Sequence, residues 1–262
     1  MNIAERLAIY KERGFSWETA AVNVLLEEAL QVLFSNFPDT FIFFGGASLV
    51  LFYGSPRHSG DLDLLARPET LPSADELKGV LEQPLRAAAE ALGFEAPTIE
   101  LARTTGEFPK LAVKAGTQVL FTIDLTRMSA AIRSELVYFP IPSDSTEYTT
   151  VPVASRNLQL LFKAEAFLMR PFLKARDAFD IKLLMDSDAA LDNNLKAHLT
   201  DGPGAEKLED TEFLAKRIDQ VNSRSCKPEL QPYLPKQIYK ELERGDFESL
   251  REALRELFSE WL

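Results

Sequence analysis

A single cysteine, Cys226, excludes an internal disulfide and a thiolate metal cluster, and its isolation suits a reducing compartment. Histidine is almost as scarce. His58 and His198 stand far apart in dissimilar contexts, so neither a histidine zinc site nor a Ser-His-Asp triad has support. Apolar runs are broken by charge well short of the roughly 20 residues needed to cross a bilayer. Met1 to Arg13 mixes Glu5, Arg6, Lys11, Glu12 and Arg13 among its apolar residues and lacks the apolar core of a secretory signal. A cytoplasmic protein without a membrane partner is therefore expected. Positive charge is short too: 29 Lys and Arg stand against 40 Asp and Glu, a formal charge of −11. Coating a nucleic acid draws its free energy from phosphate neutralisation, so any such contact must be local. The chemistry is left to carboxylates and lysine.

What is present is ordinary globular material. Hydrophobic residues make up 46% of the chain and charged residues 26%, which gives disorder no support, and 262 residues suffice for one large domain or two modest ones. Ser16 is a candidate N-cap for a helix from Trp17 to Ser35, with Glu18 in its first turn. Phe41 to Phe44 reads as a buried strand halted by Gly45-Gly46, and a short apolar helix is expected over Ser48 to Tyr53. The turn formers of 54–60 deliver the chain into a second strand, Asp61 to Leu65. Ser73 and Glu76 have capping-box spacing at the head of a helix reaching Leu92. Leu111 to Lys114 and Gln118 to Leu125 flank Ala115-Gly-Thr117 as a hairpin that puts Thr122 and Asp124 on one face.

Beyond about Thr150 strand-like alternation disappears and the period becomes helical, so we place a domain boundary there, with domains 1–150 and 151–262. Asp201-Gly-Pro-Gly204 separates helices in the second part, and Phe247 to Leu262 closes it as an amphipathic helix. The fold class is α+β: an N-terminal domain with a mixed sheet, then an α-helical domain.

Asp61 and Asp63 lie two apart on one strand, so both leave the same face, and a neighbouring strand can bring Asp124 alongside. Three carboxylates on one face repel unless cations sit between them. Two divalent ions roughly 3.5–4 Å apart can activate an attacking hydroxyl and stabilise a leaving pyrophosphate. Mg²⁺ is the first candidate, since it shares its coordination between carboxylates and substrate phosphates; Mn²⁺ is the alternative. The bland reading has Asp61 capping a turn and Asp63 solvated. Against it stands Gly45-Gly46, between a buried strand and a helix, where backbone amides approach phosphate oxygens and Ser48 adds a hydroxyl.

The stretch from Phe44-Gly-Gly-Ala-Ser through Arg57-His-Ser59 to Asp61-Leu-Asp-Leu resembles the signature of DNA polymerase β-like nucleotidyltransferases, in the form carried by the AbiEii toxin family. It departs at Ala47, where the family places a hydroxyl residue directly after the second glycine; here Ser48 follows one later. Asn157 to Leu168, with Lys163, and Lys174-Ala-Arg-Asp-Ala-Phe-Asp180 are similar to the family's later motifs. The resemblance implies a polymerase β-like sheet domain and a helical domain packed to complete a cleft over the acidic strand. It implies Mg²⁺ on Asp61, Asp63 and Asp124, nucleotide held by Gly45, Gly46, Ser48, Arg57, Ser59 and Lys163, and catalytic roles for Asp61, Asp63, Lys163 and Asp177, with Asp180 in reserve.

The implied reaction moves a nucleoside monophosphate from an NTP to an acceptor hydroxyl. The resemblance implies the toxin of a toxin–antitoxin pair, with a tRNA 3′ end as acceptor, as for some members of the family, and a DNA-binding antitoxin as partner. The competing readings are a small-molecule or protein acceptor, and a non-catalytic regulatory module on the same fold.

Independently, residues 155–182 carry six basic side chains against three acidic ones, a positive window in an acidic chain. The bland alternative pairs Asp177 and Asp180 locally with Arg176 or Lys174. His58 reads as a surface histidine, Trp17 and Trp261 as core, Cys226 as inert, and Phe172 and Phe179 as candidates for stacking on a base.

Overall fold

Asn2 and Ser16 open the first two helices, each accepting a hydrogen bond from a first-turn amide: α1 spans Ile3–Glu12 and α2 spans Trp17–Asn36. The polypeptide then alternates through β1 (Phe41–Phe44), α3 (Gly45–Phe52), β2 (Asp61–Ala66) and α4 (Ala74–Ala91). Five strands, consecutive among the described residues, complete the sheet: β3 (Pro97–Thr105), β4 (Phe108–Ala115), β5 (Gln118–Arg127), β6 (Leu136–Pro142) and β7 (Tyr148–Ala154). In this computed structural model the described residues are 1–105, 108–128, 135–142, 148–202 and 204–262, and they form two compact units, Met1–Ala154 and Ser155–Leu262.

The seven strands run in the order β3-β4-β5-β2-β1-β7-β6. The sheet is mixed, as expected: β2 runs parallel to β5 and antiparallel to β1, and β7 is parallel to β1. Alternation assigns its two faces. Leu62, Leu64, Leu111, Val113, Ile123 and Leu125 are all buried and share a core with Leu25, Leu26 and Leu30 of α2 and Leu77, Leu81 and Leu85 of α4. The opposite face of the same strands carries Asp61, Asp63, Lys110, Thr122 and Asp124. Helix α2 is long and buried along most of its length, so it anchors the sheet from behind. Arg6 is itself buried and reaches Glu27 and Glu28 of α2, fastening α1 to that core.

Ser73 and Glu76 form the expected capping box on α4. The hairpin is also present, with Ala115 opposite Gln118 and a register shift at Val113/Lys114. Two expectations need correction. The helix after β1 starts at Gly45, not Ser48, so the glycines form its first turn and do not precede it. Strand order does not stop at Thr150: β7 continues to Ala154 and reaches β1 at Phe43↔Val153. Pro152 hides this strand from a pattern reading, because proline argues against a sheet interior.

The second unit is wholly helical among its described residues: α5 (Arg156–Met169), α6 (Ala175–Met185), α7 (Asn193–Thr200), α8 (Ala205–Glu209), α9 (Thr211–Asp219), α10 (Ser223–Leu230), α11 (Lys236–Arg244) and α12 (Glu248–Leu257). Pro203, in the expected break between α7 and α8, lies outside the described residues. Helix α6 is packed against α5, α10 and α12 and buries Ala175, Ala178, Phe179, Ile181 and Leu184. No helix among the described residues is long and apolar enough to cross a membrane.

Of the two tryptophans expected in the core, Trp17 is exposed and leans on Phe94, and Trp261 is half-buried against Phe258. Cys226 is fully buried, and that burial pushes its thiol up to about 11. At pH 8 roughly one molecule in a thousand then carries a thiolate. Iodoacetamide at pH 8 is expected to leave the native protein unlabelled and to alkylate Cys226 once urea unfolds it; native labelling at the rate of a free thiol would contradict this burial.

Candidate active site

The acidic pair sits where β2 and β5 run side by side. Asp61 lies opposite Thr122 and Asp63 opposite Asp124, so parallel pairing sends all four side chains to one face. Asp61 is held by Thr122, whose hydroxyl donates to Asp61 Oδ1. The two carboxylates of β2 thus share a face, as the spacing requires, and Asp124 is their direct cross-strand neighbour.

Gly45 and Gly46 complete the wall beside them. Gly45 has φ +80°, and a Cβ built there would lie 2.2 Å from Asp63 Oδ2 and 2.9 Å from its Cγ. Only a residue with no side chain lets the first turn of α3 come this close to the Asp63 carboxylate. A Cβ at Gly46 would lie 2.6 Å from both Arg57 Nη2 and Ser59 Oγ. Arg57 and Ser59 are buried, so these two expected nucleotide ligands form the packing behind the turn. Arg57 is pinned there by donating Nη1 to the His58 carbonyl at 3.0 Å. Its charge adds to the partial positive charge of the helix N-terminus. Ser48 faces inward: it is fully buried and its hydroxyl donates to the Gly45 carbonyl at 2.8 Å.

Asp124 is differently placed from its two neighbours. Lys110 Nζ stands 3.0 Å and Arg103 Nη2 3.1 Å from Asp124 Oδ2, and Lys110 is also 3.9 Å from Asp61 Oδ1. Its partner is not Arg127, the neighbour that chain proximity offers. Lys110 and Arg103 were not selected from the sequence. Alternation along 108–115 marks Lys110 as sharing a face with Ala112 and Lys114, but only register shows that it lies opposite Asp124. Among the described residues, no three His, Cys, Asp or Glu side chains converge as a metal cage. The expected three-carboxylate cluster is therefore not preassembled, and two cations explain why. Asp61 and Asp63 alone still fit Mg²⁺, whose sites commonly combine one or two carboxylates with substrate phosphates.

The helical unit has a second charged cluster. Lys163 Nζ lies 2.8 Å from Asp180 Oδ2 and 3.3 Å from Asp177 Oδ1, and Arg170 Nε lies 2.9 Å from Asp177 Oδ2. Both carboxylates are buried, since they project from the enclosed helix α6 three residues apart on one face. The local pairing of these acids with Arg176 or Lys174 does not occur: Arg176 binds Glu229 at 3.1 Å and lies over Tyr233. Arg217, also buried, donates to the Phe167 and Arg170 carbonyls and so closes the end of α5. Of the aromatic candidates, Phe179 belongs to the core and Phe172 is 81% exposed. His58 is half-buried in its turn.

A family model of the nucleotidyl transferase AbiEii toxin of type IV toxin–antitoxin systems matches residues 28–260. The chain belongs to the AbiEii family. Among solved structures, JHP933 from Helicobacter pylori is similar at 17% identity over 94% of each chain, with a TM-score of 0.55. A putative nucleotidyltransferase from H. pylori is similar at 17% identity over 94% of this chain and 97% of its own, with a TM-score of 0.54. MenT4, a nucleotidyltransferase toxin from Mycobacterium tuberculosis, aligns at 19% identity over 85% of this chain and 71% of its own, with a TM-score of 0.48. No curated protein matches. The two H. pylori structures show a shared fold, and the AbiEii match supports a nucleotidyltransferase of the toxin type.

Proposed function

We propose that this AbiEii chain transfers a nucleoside monophosphate from an NTP to an acceptor hydroxyl, as the toxin of a toxin–antitoxin pair. The observation that carries the proposal is the placement of Asp61 and Asp63 on one face of β2, with the first turn of α3 held against Asp63 by the absence of a side chain at Gly45. Carboxylate oxygens for a cation and backbone amides for phosphate then stand side by side. The acceptor oxygen forms a bond to the α-phosphorus and its hydroxyl proton passes to solvent, while the bond from that phosphorus to the bridging oxygen breaks and pyrophosphate leaves with the bond's electron pair.

Asp61 and Asp63 present the oxygens that would hold Mg²⁺, and Thr122 fixes the rotation of Asp61. Mg²⁺, when bound, supplies charge stabilisation to the leaving pyrophosphate. The amides of Gly45 and Gly46, with Arg57 behind them, receive phosphate oxygens. Lys163 is proposed to neutralise phosphate charge, and Asp177 to hold Lys163 in place. Both of its carboxylate partners are buried, and they hold the Lys163 ammonium in place at 3.3 and 2.8 Å.

A tRNA 3′ end is the proposed acceptor and a DNA-binding antitoxin the proposed partner. The basic excess of residues 155–182 supports a local RNA contact in a chain of formal charge −11. Purified protein with Mg²⁺, each α-labelled NTP and total tRNA is expected to label RNA, and the Asp63→Ala variant to fall about a hundred- to a thousandfold short, as loss of a charge-stabilising group does. Label in protein or in a small molecule would redirect the acceptor. Equal labelling by Asp63→Ala would refute the site.

A further inference from the structure

Asp124, Lys110 and Arg103 belong to one cross-strand row: Arg103 lies opposite Lys110, Lys110 opposite Asp124, and Asp124 opposite Asp63. The row therefore reads cation, cation, carboxylate, carboxylate across four strands, with Asp61 one step along β2 on the same face. Lys110 is only 23% exposed, and its ammonium stands between Asp124 and Asp61 at 3.0 and 3.9 Å. Its positive charge thus already answers those two carboxylates, as a second divalent ion held by them would have to do. Three carboxylates and two cations leave the face with one net negative charge. This residue of charge favours one divalent ion, and a second must displace a held ammonium.

We infer that Lys110 is a built-in cation that withdraws Asp124 from metal binding, so that the protein itself offers a single divalent-ion site formed by Asp61 and Asp63. The inference rests on the reading of Asp61 and Asp63 as metal ligands. Asp124 is then a positioning residue: it fixes the Lys110 ammonium beside Asp61, where it orients that carboxylate and lies ready for a phosphate oxygen. Arg103 is 62% exposed and contributes less, since solvent screens its pair with Asp124.

The test is Mn²⁺ titration of the full chain without nucleotide, followed by the electron paramagnetic resonance signal of free Mn²⁺. The wild type is expected to bind one ion. Asp61→Asn is expected to weaken binding by about tenfold or more, because it removes a charged ligand. Asp124→Asn keeps the side-chain shape and is expected to change affinity by less than about threefold. Lys110→Met exposes Asp124 to the ion, so it is expected to tighten binding about tenfold or to admit a second ion. Circular dichroism of each variant confirms that it is folded. Weakening by Asp124→Asn equal to that of Asp61→Asn, two ions on the wild type, or weaker binding by Lys110→Met would each overturn the role of Lys110 while leaving the metal reading in place. An Asp61→Asn variant that binds Mn²⁺ as the wild type does would overturn the metal reading, and this inference with it.

Discussion

Gly45→Ala is expected to destabilise the sheet unit by roughly 2–5 kcal/mol, from a left-handed backbone imposed on alanine and from overpacking against Asp63. Two costs combine because the constraints are independent. At φ +80° an L side chain is strained wherever it points, and here the new Cβ would meet Asp63 Oδ2, Cγ and Cβ at 2.2, 2.9 and 3.0 Å. Turning the Asp63 side chain about its Cα–Cβ bond moves Oδ2 and Cγ but leaves the 3.0 Å contact with Cβ, which strand β2 fixes. Either α3 lifts from the sheet or Asp63 leaves its face, and both outcomes disable the proposed site. Trp17 lies in the sheet unit and Trp261 in the helical one, so a Trp261→Phe background lets fluorescence follow the sheet unit alone through a urea titration. A midpoint within experimental error of the parent would show that the contact of Gly45 with Asp63 is not a real constraint.

Lys163→Met is expected to cost the helical unit about 3–5 kcal/mol, the usual penalty for removing one partner of a buried ion pair. Lys163 serves Asp177 and Asp180 together, and both are buried on an enclosed helix. Methionine fills much the same volume, so packing changes little and the loss reports on charge. Adding Asp180→Asn to Lys163→Met is expected to recover part of the loss, since the carboxylate nearest Lys163 is then neutral, while Asp177 keeps Arg170 at 2.9 Å. Urea unfolding in a Trp17→Phe background, with Trp261 as the probe, measures both variants. A lysine whose role is confined to substrate would leave the midpoint unmoved, and that result would separate the functional role from the structural one.

What could be read from the sequence was what short stretches decide. Ser16, Ser73 and Glu76 cap their helices through bonds three residues long, and Phe41–Phe44 and Asp61–Ala66 declare themselves by apolar content and alternation. The same alternation put Asp61, Asp63, Thr122 and Asp124 on polar faces. It could not supply register, and the partners of Asp124 come from register: Lys110 and Arg103 are 14 and 21 residues away along the chain. Strands β3, β6 and β7 were missed for a related reason, since each is completed by pairing that no local pattern reports, and prolines at 140, 142 and 152 tell against it. Helix α1 escaped notice because its buried residues include Arg6 and Tyr10, polar side chains that find their partners on α2. Gly45 was read as a turn ahead of a helix when it is the helix's first residue. Its positive φ marks the change of direction, and the reason for glycine is the carboxylate beside it.

In the proposed reaction the α-phosphorus of an NTP is the centre attacked, with Asp61 and Asp63 at the site. Parallel incubations with α-labelled and γ-labelled NTP, Mg²⁺ and the labelled acceptor class test it most directly. The α-label is expected in the acceptor and the released γ-label only in pyrophosphate, with both reduced by Asp63→Ala. Entry of the γ-label into the acceptor, which requires attack at the terminal phosphorus, would contradict it.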